Sequence, residues 1–192
     1  MKQNIEIEFK NMLTKEEFGK LCDAFAAANF VSQTNHYFET PDFALKERGS
    51  ALRIRERNHT YTITLKQPAA VGLLETHQRI SREELQQLLG GSPFPDGDVA
   101  HMLLSLGVDK SNLRYFGSLT TERAELPHEG GILVFDHSFY FGQDDYELEY
   151  EAADEAAGRQ AFLSLLGQHG IPVRATQNKV QRFFLAKQKK GI

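Results

Sequence analysis

Apolar and polar residues alternate along several short segments of the chain, and this pattern predicts β-strands. In residues 4–10, "NIEIEFK", Ile5, Ile7 and Phe9 fall on one face, whereas two glutamates and a lysine fall on the other. Successive strand side chains point to opposite faces, so each such segment has one apolar and one charged face. The pattern also predicts strands at "SQTNHYFET", "ALRIRER", "TYTITLKQ", "GLLETHQRI", "LRYFGSLTTERAEL", "GILVFDHSFYF" and "DYELEYEA".

Segments with helical spacing of apolar residues lie between and after these strands. Thr14 and Glu17 form a capping-box pair that begins a first helix, which the apolar spacing extends to about Asn29. Ser81 and Glu84 begin a second helix in the same way. Further helices are predicted at "VAHMLLSLG", "DEAAGRQAFLSLLGQHG" and "TQNKVQRFFLAKQ". Helices are therefore expected at both ends and in the middle of the chain.

The number of strands limits the architecture. Eight mostly antiparallel strands, including a hairpin around Asn58 and His59, need either two packed sheets or a closed barrel. The apolar stripes of the helices need an apolar surface to pack against. The apolar strand faces would supply it if they form the outer surface of a barrel. We therefore predict a single α+β domain over residues 1–192 and favour a closed barrel with flanking helices and charged faces inside. A β-sandwich with a wet charged face is the alternative.

Composition narrows the class of partner. The formal net charge of −4 does not favour a nucleic acid or an anionic membrane surface. Cys22 is the single cysteine, which excludes an internal disulfide and a thiolate metal cluster. The sequence lacks the apolar stretch of a signal peptide or a membrane span, so a cytoplasmic location is expected.

Two of the predicted strand faces each carry charges of a single sign. One strand face carries only arginine and another only glutamate: Arg53, Arg55 and Arg57, and Glu147, Glu149 and Glu151. Like charges along one strand repel unless a neighbour or a ligand compensates them. Guanidinium and ammonium groups bind phosphate oxygens, whereas clustered carboxylates bind hard divalent cations. Both together predict a site for a metal-bound polyphosphate.

An ordered set of motifs resembles the CYTH-domain proteins of the triphosphate tunnel metalloenzyme superfamily, in particular the small CYTH proteins of Gram-positive bacteria. The Glu-x-Glu-x-Lys motif near the N-terminus is present as Glu6, Glu8 and Lys10. A Leu-Arg-x-Arg motif contains Arg53 and Arg55. The remaining matches are Lys66 in "TLK", Arg123 in "TER", Asp136, and Glu147 and Glu149 in "ELE". The resemblance extends over nearly the whole chain.

The resemblance implies an eight-stranded antiparallel β-barrel tunnel. It also implies a metal-dependent triphosphatase with Mg²⁺ or Mn²⁺ as the cofactor and a small-molecule triphosphate as the substrate. The metal ligands that it implies are Glu6, Glu8, Asp136, Glu147 and Glu149. The phosphate-binding residues would be Lys10, Arg53, Arg55, Lys66, Arg123 and Lys179, the last in the final helix, where the family carries a lysine that closes over the substrate. Arg79 shares the inward parity and is added to this set. Catalytic roles are expected for Glu6, Glu8, Lys66, Glu75 and Lys179.

Two other functions stay open. The same superfamily contains class IV-type adenylyl cyclases, which make cyclic AMP from ATP, although the sequence shows no device that would order an adenine. A non-catalytic polyphosphate- or nucleotide-binding module would keep the basic residues, but the two intact Glu-x-Glu pairs argue against it. The sequence specifies neither the physiological substrate nor the choice between the two metals, and a homodimer stays open.

Overall fold

The predicted strands form one closed barrel. In the computed structural model, which describes residues 2–191, the eight strands are ordered β1-β5-β4-β3-β2-β6-β7-β8, and the strand pairs are antiparallel. The strands are β1 (Lys2–Leu13), β2 (Val31–Glu39), β3 (Ala51–Arg57), β4 (Thr60–Pro68), β5 (Leu73–Ile80), β6 (Arg114–His128), β7 (Gly131–Tyr140) and β8 (Gln143–Ala152). The predicted fold class is therefore confirmed.

Six α-helices accompany the barrel within the described residues. They are α1 (Lys15–Phe25), α2 (Ala44–Glu47), α3 (Arg82–Leu89), α4 (Asp98–Ser105), α5 (Glu155–Gln168) and α6 (Lys179–Lys190). The capping boxes predicted at the starts of α1 and α3 are both present. α1 is shorter than predicted because Ala26 adopts the left-handed conformation, with φ of 50°, and ends the helix. None of the helices in residues 2–191 has the length and apolar character that crossing a bilayer requires.

The chain divides into two compact units. Unit 1 comprises the residues up to Glu6 together with Gln33–Ser118, and unit 2 comprises Ile7–Ser32 together with the residues from Leu119 onward. In unit 1, the apolar faces of β3 and β4 pack with α3 and α4 in a core whose members include Leu52, Ile54, Ile63, Leu65, Leu85 and Leu103. Because these strand side chains face the helices, Arg53, Arg55 and Lys66 lie on the opposite face of the sheet.

Unit 2 is organised in the same way. Residues from β7 and β8 pack with α1 and α5 in a second core, whose members include Leu21, Leu133, Phe135, Leu148, Phe162 and Leu166. Asp136, Glu147 and Glu149 alternate with these apolar residues and therefore lie on the face of the sheet that the helices do not cover. The alternation in the sequence thus assigns the charged residues correctly to one face within each unit.

Candidate active site

Three carboxylates of unit 2, those of Asp136, Glu147 and Glu149, form a buried acidic centre. One oxygen from each residue lies within 4.8 Å of one oxygen from each of the others. The antiparallel register explains the meeting, because Asp136 of β7 is the direct cross-strand partner of Glu147 of β8, and Glu149 follows two residues later on the same face. The exposed fractions are 0% for Asp136 and Glu147 and 5% for Glu149, so the charges are removed from bulk water.

Two cations predicted from the sequence form ion pairs with the acidic centre. Arg123 donates from Nε and Nη2 to Asp136 at 2.7 and 2.5 Å, and from Nη2 to Glu149 at 2.8 Å. The Lys179 ammonium donates to Asp136 at 2.6 Å, to Glu147 at 3.0 Å and to Glu149 at 2.9 Å. A buried carboxylate is tolerated only when it is paired and hydrogen-bonded in this way.

Arg182 is a third cation at the acidic centre, and the sequence reasoning missed it. Its Nη1 lies 2.5 Å from Glu147 Oε2, and its Nε and Nη2 donate to Asp145 at 3.0 and 3.4 Å. Residues three apart on a helix share a face, so Arg182 follows Lys179 onto the same side of α6. That spacing within "KVQR" was the signal that could have identified it.

Burial and pairing act against each other on the pKa values of these groups. Burial would raise the pKa of Asp136 and of Glu149, but the nearby cations hold both values below the usual range. For Glu147 burial prevails and raises the pKa to about 7, although Lys179 and Arg182 act in the opposite direction. Burial would lower the pKa of Lys179, yet the three carboxylates raise it well above its ordinary value, so Lys179 is a cation at neutral pH.

A second charged cluster lies in unit 1, around Glu75. The Lys66 ammonium lies 3.1 Å from Glu75 Oε1 and also contacts the carboxylate of Glu6, and Arg53 Nη2 lies 3.9 Å from Glu75 Oε1. Lys66 and Glu75 are direct cross-strand partners. Burial would raise the pKa of Glu75, but Lys66 and Arg53 lower it to about 2. Glu75 is therefore ionised at neutral pH and is a weak base.

The remaining predicted residues lie on β1, β3 and β5. Glu8 and Lys10 of β1 contact each other, and burial would lower the pKa of Lys10, but Glu8 and the glutamates of the acidic centre raise it. Arg55 donates from Nε to Asn35 at 3.1 Å, whereas Arg79 is exposed. Neither Glu6 nor Glu8 belongs to the three-carboxylate group found among the described residues.

The segment that leads into α6 is fixed by buried polar contacts within unit 2. Asn11 is 0% exposed, donates to the carbonyl of Pro172 at 3.1 Å and accepts from the backbone N–H of Arg174 at 2.6 Å. The Arg174 side chain forms two hydrogen bonds of 2.8 Å with the carboxylate of Glu17. These contacts fix the chain shortly before α6 and so help to place Lys179 at the acidic centre.

Two Bacillus proteins are similar to this chain over nearly its whole length. The chain is 52% identical over 191 residues to a Bacillus subtilis (strain 168) protein named "Putative triphosphatase YjbK", with 98% of this chain and 99% of that protein covered. It is 45% identical to a Bacillus halodurans protein whose crystal structure is described as that of a "putative adenylate cyclase", with a TM-score of 0.92 and coverage of 96% and 100%.

A more distant structure has the same fold. It is a Hippeastrum protein described as "Putative adenylyl cyclase HpAC1", which "reveals a dominant triphophatase activity". It is 24% identical, with a TM-score of 0.77 and coverage of 97% of this chain and 96% of that one. The family model of the CYTH domain matches residues 4–184, nearly the whole chain. The chain therefore belongs to the CYTH domain family.

Proposed function

We propose that the chain is a divalent-metal-dependent triphosphatase that hydrolyses a small-molecule triphosphate. The observation that carries the proposal is the acidic centre, in which three buried carboxylates converge within 4.8 Å on a face of the sheet that also carries cations. The resemblance to the Bacillus subtilis protein named as a triphosphatase supports the same reaction.

The donor set fits a hard divalent cation. Mg²⁺ and Mn²⁺ prefer oxygen ligands and bind to a few carboxylates together with substrate phosphates. The position that such an ion would need is one that already attracts positive charge, because the Lys179 ammonium contacts all three carboxylates there. Asp136, Glu147 and Glu149 would hold the ion, and Glu6 and Glu8 are proposed as further acidic ligands. A bound divalent cation would offset negative charge on the phosphates.

The basic residues have the complementary role of binding phosphate oxygens. Arg53, Arg55 and Lys66 in unit 1, and Lys10, Arg123 and Lys179 in unit 2, are proposed for this role, with Arg79 as an exposed peripheral contact. A guanidinium can bind two phosphate oxygens at once, and an ammonium acts as a point charge. We propose that Glu75 acts through Lys66 and Arg53, because its low pKa of about 2 makes it a poor general base and a good anchor for cations.

Phosphate release tests the proposal. Purified protein is incubated with tripolyphosphate, ATP or thiamine triphosphate, each with Mg²⁺ and with Mn²⁺, and cyclic AMP is measured in the ATP reactions. Metal-dependent release of phosphate without cyclic AMP is the expected result. Formation of cyclic AMP would favour the adenylyl cyclase function that is named for the Bacillus halodurans relative.

A matched pair of variants ties the activity to the site. Glu149→Gln removes one charge of the acidic centre, whereas Glu155→Gln removes a charge from α5, where the side chain is 53% exposed. We expect Glu149→Gln to lose at least about 100-fold in kcat, because electrostatic stabilisation in a buried site is large, and Glu155→Gln to keep normal turnover. Equal activity of the two variants would contradict the proposed site.

A further inference from the structure

All six oxygens of the acidic centre are already in contact with cations. Each oxygen lies within 3.0 Å of a nitrogen of Arg123, Lys179 or Arg182. Three formal negative charges thus meet three formal positive charges. The Lys179 ammonium has three N–H groups and directs one to each carboxylate, so it occupies the centre of the cluster.

Two of these three cations come from one helix. Arg123 belongs to β6 and is part of the barrel, whereas Lys179 and Arg182 belong to α6. A divalent ion held by the same oxygens would repel an ammonium that contacts all three carboxylates. The two cations of α6 and a divalent ion therefore compete for one set of ligand atoms.

Asp145 keeps α6 in this arrangement. Its carboxylate accepts hydrogen bonds from Arg182 Nε and Nη2 and also from the hydroxyl of Tyr140 at 2.6 Å. Arg182 additionally donates from Nη1 to the carbonyl of Gln177 at 2.6 Å, which fixes its side chain against the start of α6. Residues 171–178, between α5 and α6, have no regular secondary structure, so α6 is attached through an irregular segment.

We propose that α6 competes with a divalent cation for the metal site, because the Lys179 ammonium occupies the acidic centre and must withdraw before the cation binds there. The contact between Asp145 and Arg182 is the positioning pair that holds α6 in this competing arrangement. The inference rests on the proposed metal site, and it adds that α6 controls how tightly that site binds its ion. Metal binding and displacement of the Lys179 side chain are then one coupled equilibrium.

Direct binding of Mn²⁺ in the absence of substrate tests this coupling. The dissociation constant is measured by electron paramagnetic resonance of unbound Mn²⁺ for the unaltered protein and for Lys179→Met, Asp145→Asn and Lys189→Met. The last variant removes an exposed positive charge from the same helix and is the matched control. If Lys179 is withdrawn from the acidic centre in no more than about one tenth of the molecules, Lys179→Met should bind Mn²⁺ at least about tenfold more tightly than the unaltered protein. The dissociation constant of Lys189→Met should be unchanged.

Asp145→Asn tests the positioning pair while it leaves the acidic centre and Lys179 intact. It should also tighten Mn²⁺ binding, because a loosened α6 exposes the carboxylates more often. If Lys179→Met fails to fold, unchanged Mn²⁺ binding in Asp145→Asn overturns the competition itself. Equal or weaker binding in Lys179→Met would overturn the competition, and unchanged binding in Asp145→Asn alone would overturn the role of the pair. Absence of Mn²⁺ binding in every folded variant would instead refute the proposed metal site.

Discussion

Replacement of Arg123 by methionine tests whether Arg123 compensates the buried negative charges of the acidic centre. The guanidinium makes three hydrogen bonds of 2.5–2.8 Å to Asp136 and Glu149, and its residue is only 7% exposed. Methionine retains the apolar bulk but removes every donor. Asp136 and Glu149 would then share Lys179 as their main compensating charge.

The expected loss is large because the two carboxylates cannot reach water. Removal of one partner of a buried ion pair typically costs about 3–5 kcal/mol of unfolding free energy. For a chain of this length, 1 kcal/mol lowers Tm by about 2–4 °C, so the variant should melt about 6–20 °C lower. The loss of unfolding free energy should become smaller as the pH falls, because protonation of an unpaired carboxylate removes the uncompensated charge.

Thermal and urea unfolding in metal-free buffer measure this loss. Arg159→Met is the control, because Arg159 pairs with Glu155 at 3.3 Å with 61% of its side chain exposed and lies over the ring of Phe9. That replacement should cost about 1 kcal/mol. An equal loss of stability in the two variants would refute the view that Arg123 compensates buried charge.

Three further predictions concern other parts of the molecule. Gly158→Ala should lower the free energy of unfolding by about 1–3 kcal/mol in urea titrations, despite the better helix propensity of alanine. The added Cβ would overlap the Cβ of Ala152 and would lie 2.8 Å from the Phe9 ring, and a gain in stability would contradict this packing. The unaltered protein should be more stable than Glu17→Gln above pH 4.5, and this difference should vanish as the pH falls through about 2. Hydrogen bonds from Arg174 lower the pKa of Glu17 to about 2, so the stabilising charge is lost there. Melting curves at several pH values measure the difference, and its persistence at lower pH would contradict the pairing. Glu75→Gln should reduce kcat/KM for tripolyphosphate by about 10- to 100-fold, because Lys66 and Arg53, two proposed phosphate-binding residues, lose the carboxylate that positions them. Unchanged kinetics would contradict a role for Glu75 in the site.

Much of the fold follows from local patterns in the sequence. Period-two alternation locates all eight strands, and the Thr14 and Ser81 capping boxes mark the starts of α1 and α3. The hairpin at Asn58 and His59 is also local, since both residues adopt the positive φ values that a two-residue turn requires. The end of α1 could not be read in this way, because a left-handed Ala26 has no sequence signal comparable to glycine.

The motifs identified charged residues but not their partners. Glu6 and Glu8 resemble Glu147 and Glu149 in the sequence, yet Glu6 contacts Lys66 and Glu8 contacts Lys10. Glu39 also shares the alternating pattern, but its carboxylate accepts hydrogen bonds from the backbone N–H groups of Thr40, Leu45 and Lys46, the last two in α2. A carboxylate in a strand pattern thus has several uses that local sequence does not distinguish.

The sequence by itself determined which face of each strand is charged, because side-chain direction in a strand depends only on the parity of the position. It also determined that one strand face carries only arginine and another only glutamate. Only the tertiary structure decided that Asp136 meets Glu147 and that α6 directs Lys179 and Arg182 onto them. Those meetings depend on strand register and helix placement, which are set by hydrogen bonds and packing between residues far apart in the chain.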